Sequence, residues 1–133
     1  MNMTTFFRAF AATGATMFAL DLLWLGVVAK GFYGKYLGSL LRPDVNWAPA
    51  LLFYVLYVVA VVVFVVMPAA ERRSVGRALG LGAFFGLAAY ATYDLTSLAL
   101  IRNFPLIVAV VDLAWGVVLT TIAASAGYAA ARG

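Results

Sequence analysis

Tyr90-Ala91-Thr92-Tyr93-Asp94-Leu95-Thr96-Ser97 decides how this chain is read. The segment lies in the second half of an apolar run, from about Val75 to Ile101, with no charged residue between Arg77 and Asp94. A helix needs about 20 apolar residues to cross a bilayer, and this run is long enough. Within it, an aspartate, two tyrosines and three hydroxyl residues stand against the hydropathy of their surroundings. A charged side chain at mid-membrane costs about 2.5 to 3.5 kcal/mol on insertion scales, so these residues imply partners. Asp21 and Asp112 sit in apolar runs in the same way.

Outward from that segment, three further runs are of spanning length. The chain of 133 residues is 66% hydrophobic and only 11% charged, too few charges to solvate a soluble domain of this size. The sequence therefore predicts an all-α fold, an integral membrane four-helix bundle. Its spans are expected at about 5–29, 49–67, 75–101 and 106–130, in a single transmembrane domain over residues 1–133. The N-terminal run is too long for a signal peptide and carries Asp21, so it is read as a retained first span. With no cysteine and no histidine, disulfides, thiol chemistry and the usual zinc sites are excluded, and no cofactor is expected. The net charge of +4 comes from basic residues scattered at helix ends, where they anchor to headgroups. No nucleic-acid partner is implied.

The connections carry their own patterns. Phe32, Tyr33, Tyr36, Leu37, Leu40 and Leu41 recur at helical spacing, which predicts a short interfacial helix between the first two spans, running to Arg42. Pro43 and Pro49 bracket a turn that holds Trp47 at the interface. Pro68 is expected to close the second span, and Ser74 to cap the third. Ala78, Gly82 and Gly86 form a small-xxx-small ridge for close helix contact, either inside the bundle, which is favoured, or in a homodimer.

Asp21 lies nine residues before Lys30, Asp94 eight before Arg102, and Asp112 seven after Pro105. At the helical rise these separations place the three carboxylates roughly 10 to 13 Å inside one boundary. Four alternating spans bring the first and third connections to the same side, so the carboxylates share a leaflet. Asp21, Asp94 and Asp112 are the candidate catalytic residues. Trp24, Tyr54, Tyr57, Tyr90, Tyr93, Thr96 and Trp115 are the candidate ligand-binding residues; tyrosine and tryptophan can donate to a carboxylate while burying a ring. Arg8, Arg72, Arg73, Arg77 and Arg132 flank the opposite boundary, which favours cytoplasmic termini.

Three readings follow. In the first, the aspartates line a pocket for a membrane lipid or another amphiphilic small molecule, such as an isoprenoid, and perform acid–base chemistry on it. In the second, they carry protons or a cation in a small dimeric transporter. In the third, they are interhelical glue, with bonds worth about a kcal/mol each. Three aspartates could hold magnesium, but no DxxxD-like pair supports a diphosphate site, and no metal is assigned.

Four motifs, Asp21-Leu-Leu-Trp24-Leu-Gly26, Asn46-Trp47-Ala-Pro49-Ala-Leu-Leu-Phe53-Tyr54, Tyr90-Ala-Thr-Tyr93-Asp94-Leu-Thr96 and Asp112-Leu-Ala-Trp115-Gly116, resemble domain-of-unknown-function family 2177 of small bacterial membrane proteins. The resemblance covers nearly the whole chain, with Ser97 standing where Asn is expected. It implies a bacterial inner membrane and supplies no activity or substrate.

Overall fold

A computed structural model describes residues 2–41, 44 and 46–132, and of Ser39 the backbone alone. Helix α1 (Met3–Leu23) runs on through a π-helical turn (Trp24–Val28). A short helix α2 (Phe32–Leu37) and a 3-10 turn (Gly38–Leu40) follow. The second span joins α3 (Trp47–Val61), a second π-helical turn (Val62–Val66) and α4 (Met67–Glu71). Helices α5 (Val75–Leu100) and α6 (Leu106–Arg132) complete the chain. Four stretches are long and apolar enough to cross a membrane: Met3–Val28, Trp47–Glu71, Val75–Leu100 and Leu106–Arg132. The protein is an all-α, multi-pass membrane bundle with a short segment between its first two spans. Arg42 and Pro43, expected at the end of that segment, lie outside the described residues.

Helix ends follow local chemistry. The Asn2 side chain accepts from the Thr5 N–H at 2.8 Å, and Ser74 Oγ accepts from the Arg77 N–H at 3.1 Å, satisfying donors that have no intrahelical acceptor. Gly31, at φ 81°, takes the left-handed turn that separates α1 from α2. Pro68 does not close the second span as expected; the helix passes through it to Glu71. A proline inside a helix donates no bond and crowds the carbonyl four residues back. Here the preceding turn is widened, with the Met67 N–H donating to the Val62 carbonyl in the i to i+5 pattern.

Apolar side chains such as Phe7, Leu22, Leu52, Leu56, Phe64 and Phe84 point outward and are exposed, as lipid-facing positions must be. Since lipid is as apolar as these side chains, close packing rather than water exclusion must hold the helices together. Helix α6 is the hub, contacting α1, α5 and both the π-helical turn and α4 of the second span. Its seam with α5 is antiparallel and advances by four residues on each side. Ala78 packs with Tyr128. Gly82 lies against Thr121 and Ala124, Gly86 against Gly116 and Thr120, and the Tyr90 ring covers Gly116. Asp94 then faces Asp112. Leu98 packs on the cluster of Leu37, Phe104, Val108 and Ala109. This is ridge packing of the four-by-four class, and it places the Ala78–Gly86 ridge inside the bundle. A second close approach, of Gly127 to Thr13 and Val66, brings three spans together. Between these contacts lies an apolar core of Met17, Val58, Val61, Val62, Val65 and Leu119.

Candidate functional site

The first and third connections emerge at one end of the bundle; the termini and Arg72–Ser74 lie at the other, where Arg8 Nε donates to the Ala130 carbonyl at 3.2 Å. At the first end the spans part around a recess of about 1000 Å³. Asp21, Trp24, Tyr33, Tyr90, Asp112 and Trp115 supply its polar and aromatic wall. Leu25, Leu41, Pro49 and Val108 contribute apolar surface, and Asp44 and Asn46 also border it.

Each aspartate has a different environment. Asp21 is clamped from two helices: Tyr54 Oη donates to Oδ2 at 2.9 Å and Trp115 Nε1 to Oδ1 at 3.2 Å. Asp112 receives the Tyr33 hydroxyl at 2.9 Å, and that hydroxyl accepts from Trp24 Nε1 at 3.1 Å. The two indoles stack, centroids 4.5 Å apart and planes within 7°, which couples the Asp21 clamp to the Asp112 relay. Asp94 is 0% exposed, and the one group its carboxyl meets among the described residues is the carboxyl of Asp112, with which it bonds only by sharing a proton. It is directed at Asp112. The i+4 relations that match Gly86 to Thr120 force this meeting: continued along the seam, the same register sets one carboxylate against another.

Tyr33 was not among the residues singled out by sequence. It stood in an aromatic run in which Phe32, Tyr33 and Tyr36 looked alike. The turn at Gly31 aims this one ring back into the bundle, where it ties α2 to Asp112. Burial, more than the neighbouring carboxylate, pushes the Tyr33 phenol well above its ordinary range, outweighing the opposing effect of the Trp24 bond, so it stays a donor.

Three expected ligand-binding residues do not line the recess, and the first, Tyr54, serves as a donor to Asp21. Tyr57 is buried one turn deeper than Tyr54, its hydroxyl 2.7 Å from Thr120 Oγ1, beneath Tyr90 in the packed core. Thr96 is exposed on the outer side of α5, because two residues along a helix turn it about 200° from Asp94. Tyr93 borders the recess but is 58% exposed and stands edge-on to Phe104, centroids 6.4 Å apart. Lys30 and Arg102, expected to reach in from the rim, are exposed, and no ion pair joins them to the aspartates among the described residues. Nor do three acidic side chains converge to hold a metal ion among those residues.

A family model described as "Predicted membrane protein (DUF2177)" matches residues 6–129. The chain belongs to this family. The match runs from the first turns of α1 to the last of α6, so the DUF2177 unit contains the whole seam and the recess. No curated protein and no solved structure matches the chain.

Proposed function

We propose that this DUF2177 protein binds a membrane amphiphile, lipid-like or isoprenoid-like, in the recess between its spans. The observation that supports this reading is the recess itself, walled by Asp21, Asp112 and aromatic rings, with Asp94 fully buried behind Asp112 and meeting no group but that carboxyl among the described residues. Interhelical glue would be bonded, as Asp21 is. Two carboxyls set against each other bond only by sharing a proton and still carry a desolvation penalty, which fits groups retained for chemistry more than for cohesion. Asp112, which borders the recess, would act as the recognising carboxylate and, with Asp94 behind it, as the acid–base element where the ligand is transformed. Asp21, with Tyr54 and Trp115, would fix the wall. A transport path would have to continue through the Val- and Leu-lined core beyond Tyr57, which argues for binding from one leaflet.

The membrane in this reading is a bacterial inner membrane, and the arginine-rich end carrying both termini faces the cytoplasm. Reporter fusions at the C-terminus and in the Phe32–Leu37 segment test the orientation: activity in opposite compartments, with the C-terminus inside, is expected.

The binding reading is tested by comparing the lipid content of membranes with and without the protein, then with Asp94→Asn. A lipid difference that Asp94→Asn abolishes while the protein stays folded is expected. No difference, or one that Asp94→Asn leaves intact, would return Asp94 to a structural role.

A further inference from the structure

The arginine-rich end of the bundle holds a second recess, of about 480 Å³, bordered by Ala70, Arg73, Tyr128, Ala131 and Arg132. Ala70 and Arg73 come from the close of the second span and the turn after it, and the others from the end of α6. The two alanines leave the space between the arginines open. The polar side chains of this wall are two guanidinium groups and a phenol, all of them donors. No carboxylate borders the recess, and no ion pair joins Arg73 or Arg132 to Glu71, the acidic residue at this end, among the described residues.

Arginines at helix ends commonly anchor to headgroups and offset the negative end of the helix dipole. That role asks only for an exposed, flexible side chain, and two features of this recess go further. The second span ends in a Schellman turn: the Ser74 N–H donates to the Ala69 carbonyl at 3.0 Å, and the Arg73 N–H to the Ala70 carbonyl at 3.1 Å. Arg73 is the left-handed residue of that turn, at φ 47°, where glycine is favoured and a side chain is not. Its guanidinium is therefore kept at a conformational cost. The second feature is Tyr128, which holds the Arg132 guanidinium 5.9 Å from its ring centre, one turn away on α6. Tyr128 is only 5% exposed and packs with Ala69 and Ala78, yet its hydroxyl has no hydrogen-bond partner among the described residues. A buried phenol normally finds a partner, and the recess it borders is where one can be supplied.

This wall of donors and positive charge selects an anion with several acceptor oxygens. Guanidinium forks match phosphate oxygens in pairs, and the phenol adds a further point of contact. A neutral head leaves both charges uncompensated, and a zwitterionic one brings a cation toward the arginines. We infer that this recess binds a phosphate group at the membrane surface, held by Arg73, Arg132 and the Tyr128 hydroxyl. It lies at the opposite end of the bundle from the aspartates and stands independently of the amphiphile reading. An anionic phospholipid head and a soluble phosphate present the same chemistry, and the test separates them.

The full chain in dodecyl maltoside is titrated with phosphatidic acid and phosphatidylcholine, bound lipid being counted by native mass spectrometry, and with inorganic phosphate by calorimetry. Phosphatidic acid is expected to bind about tenfold more tightly than phosphatidylcholine, or better. Arg73→Gly is expected to keep or raise the melting temperature, because glycine suits the left-handed turn, while weakening anion binding about fivefold. Arg132→Gln should weaken it by a similar factor and Tyr128→Phe by less. Arg72→Gln and Arg77→Gln remove the same charge outside the recess and should leave binding within about twofold. Selective phosphatidic acid binding without saturable binding of inorganic phosphate assigns the site to a phospholipid head. Saturable inorganic phosphate that Arg73→Gly weakens assigns it to a soluble phosphate. Equal binding of the two lipids with no saturable phosphate, or equal losses in all four arginine variants, overturns the inference and returns these arginines to general headgroup anchoring.

Discussion

The half of the α5–α6 seam between Ala78 and Gly86 and the half between Tyr90 and Leu98 share a four-residue step and end as opposites. In the first, small residues meet small residues and the backbones close: a Cβ at Gly82 would lie 3.2 Å from Thr121 Cα. In the second, Tyr90 closes over Gly116, and one step further a carboxyl meets a carboxyl, a pair that bonds only by sharing a proton. The first half has nothing left to satisfy. The second retains buried acceptors beside a recess. Close packing at one end can hold an unfavourable pair in place at the other, and that is the physical relation between the fold of this protein and its candidate site.

The largest effect is expected from forcing the closed half apart. At Gly86 an added Cβ would run into the Gly116 carbonyl and lie 2.9 Å from Thr120, so backbone must move. Gly86→Leu should cost about 3 kcal/mol or prevent folding, read as a fall in melting temperature in detergent. Gly80, six residues before Gly86 on the same helix, has nothing within 4 Å, and Gly80→Ala should be neutral or stabilising by up to about 1 kcal/mol. Similar losses at the two positions would mean that the seam is not held by close approach.

Intermediate effects belong to the bonded carboxylates around the recess. Tyr54→Phe removes one of the two donors to Asp21 and should lower stability by about 1 kcal/mol. Tyr33→Phe should cost a similar amount, about 1 kcal/mol, and also release α2. The second consequence is visible as faster hydrogen exchange over residues 32–37, with no matching change in α3 for either variant. If Tyr33→Phe leaves exchange in α2 unaltered, the contacts of Leu37 and not the Trp24–Tyr33–Asp112 relay hold that helix.

These contrasts also mark what could be read from sequence. The four spans and the inward direction of the Ala78–Gly86 ridge follow from length, hydropathy and the absence of side chains where helices touch. That Asp21, Asp94 and Asp112 gather toward one end of the bundle follows from counting residues to the nearest connection. Counting gives position along a helix but not azimuth, so it groups Thr96 with residues from which it points away, and Tyr57 with Tyr54 although Tyr57 is bonded to Thr120. Aligning Gly86 with Gly116 would have supplied the missing angle and set Asp94 against Asp112. Pro68 was misread because a π-helical turn can absorb a proline, and a run of valines gives no sign of where that turn falls. Tyr33 depends on how the chain folds back at Gly31, a tertiary event that aromatic spacing does not encode.

The smallest expected effect on stability falls on the most deeply buried carboxylate. Removing a charge from a satisfied pair is destabilising, because the partner is left unpaired. Asp94 has no oppositely charged partner to strand: the group it faces among the described residues is the Asp112 carboxyl. Asparagine keeps the shape, removes the carboxylate charge and offers two N–H donors to Asp112. Asp94→Asn should therefore leave the melting temperature unchanged or raise it, by up to about 1 kcal/mol of stability, in contrast to Tyr54→Phe at the bonded carboxylate. A gain in stability accompanied by loss of ligand would mean that the native residue is kept at the expense of the fold, as functional groups often are. A loss above about 1 kcal/mol would instead show that Asp94 carries a cohesive bond, and the distinction between the two halves of the seam would fail at the position where it is sharpest.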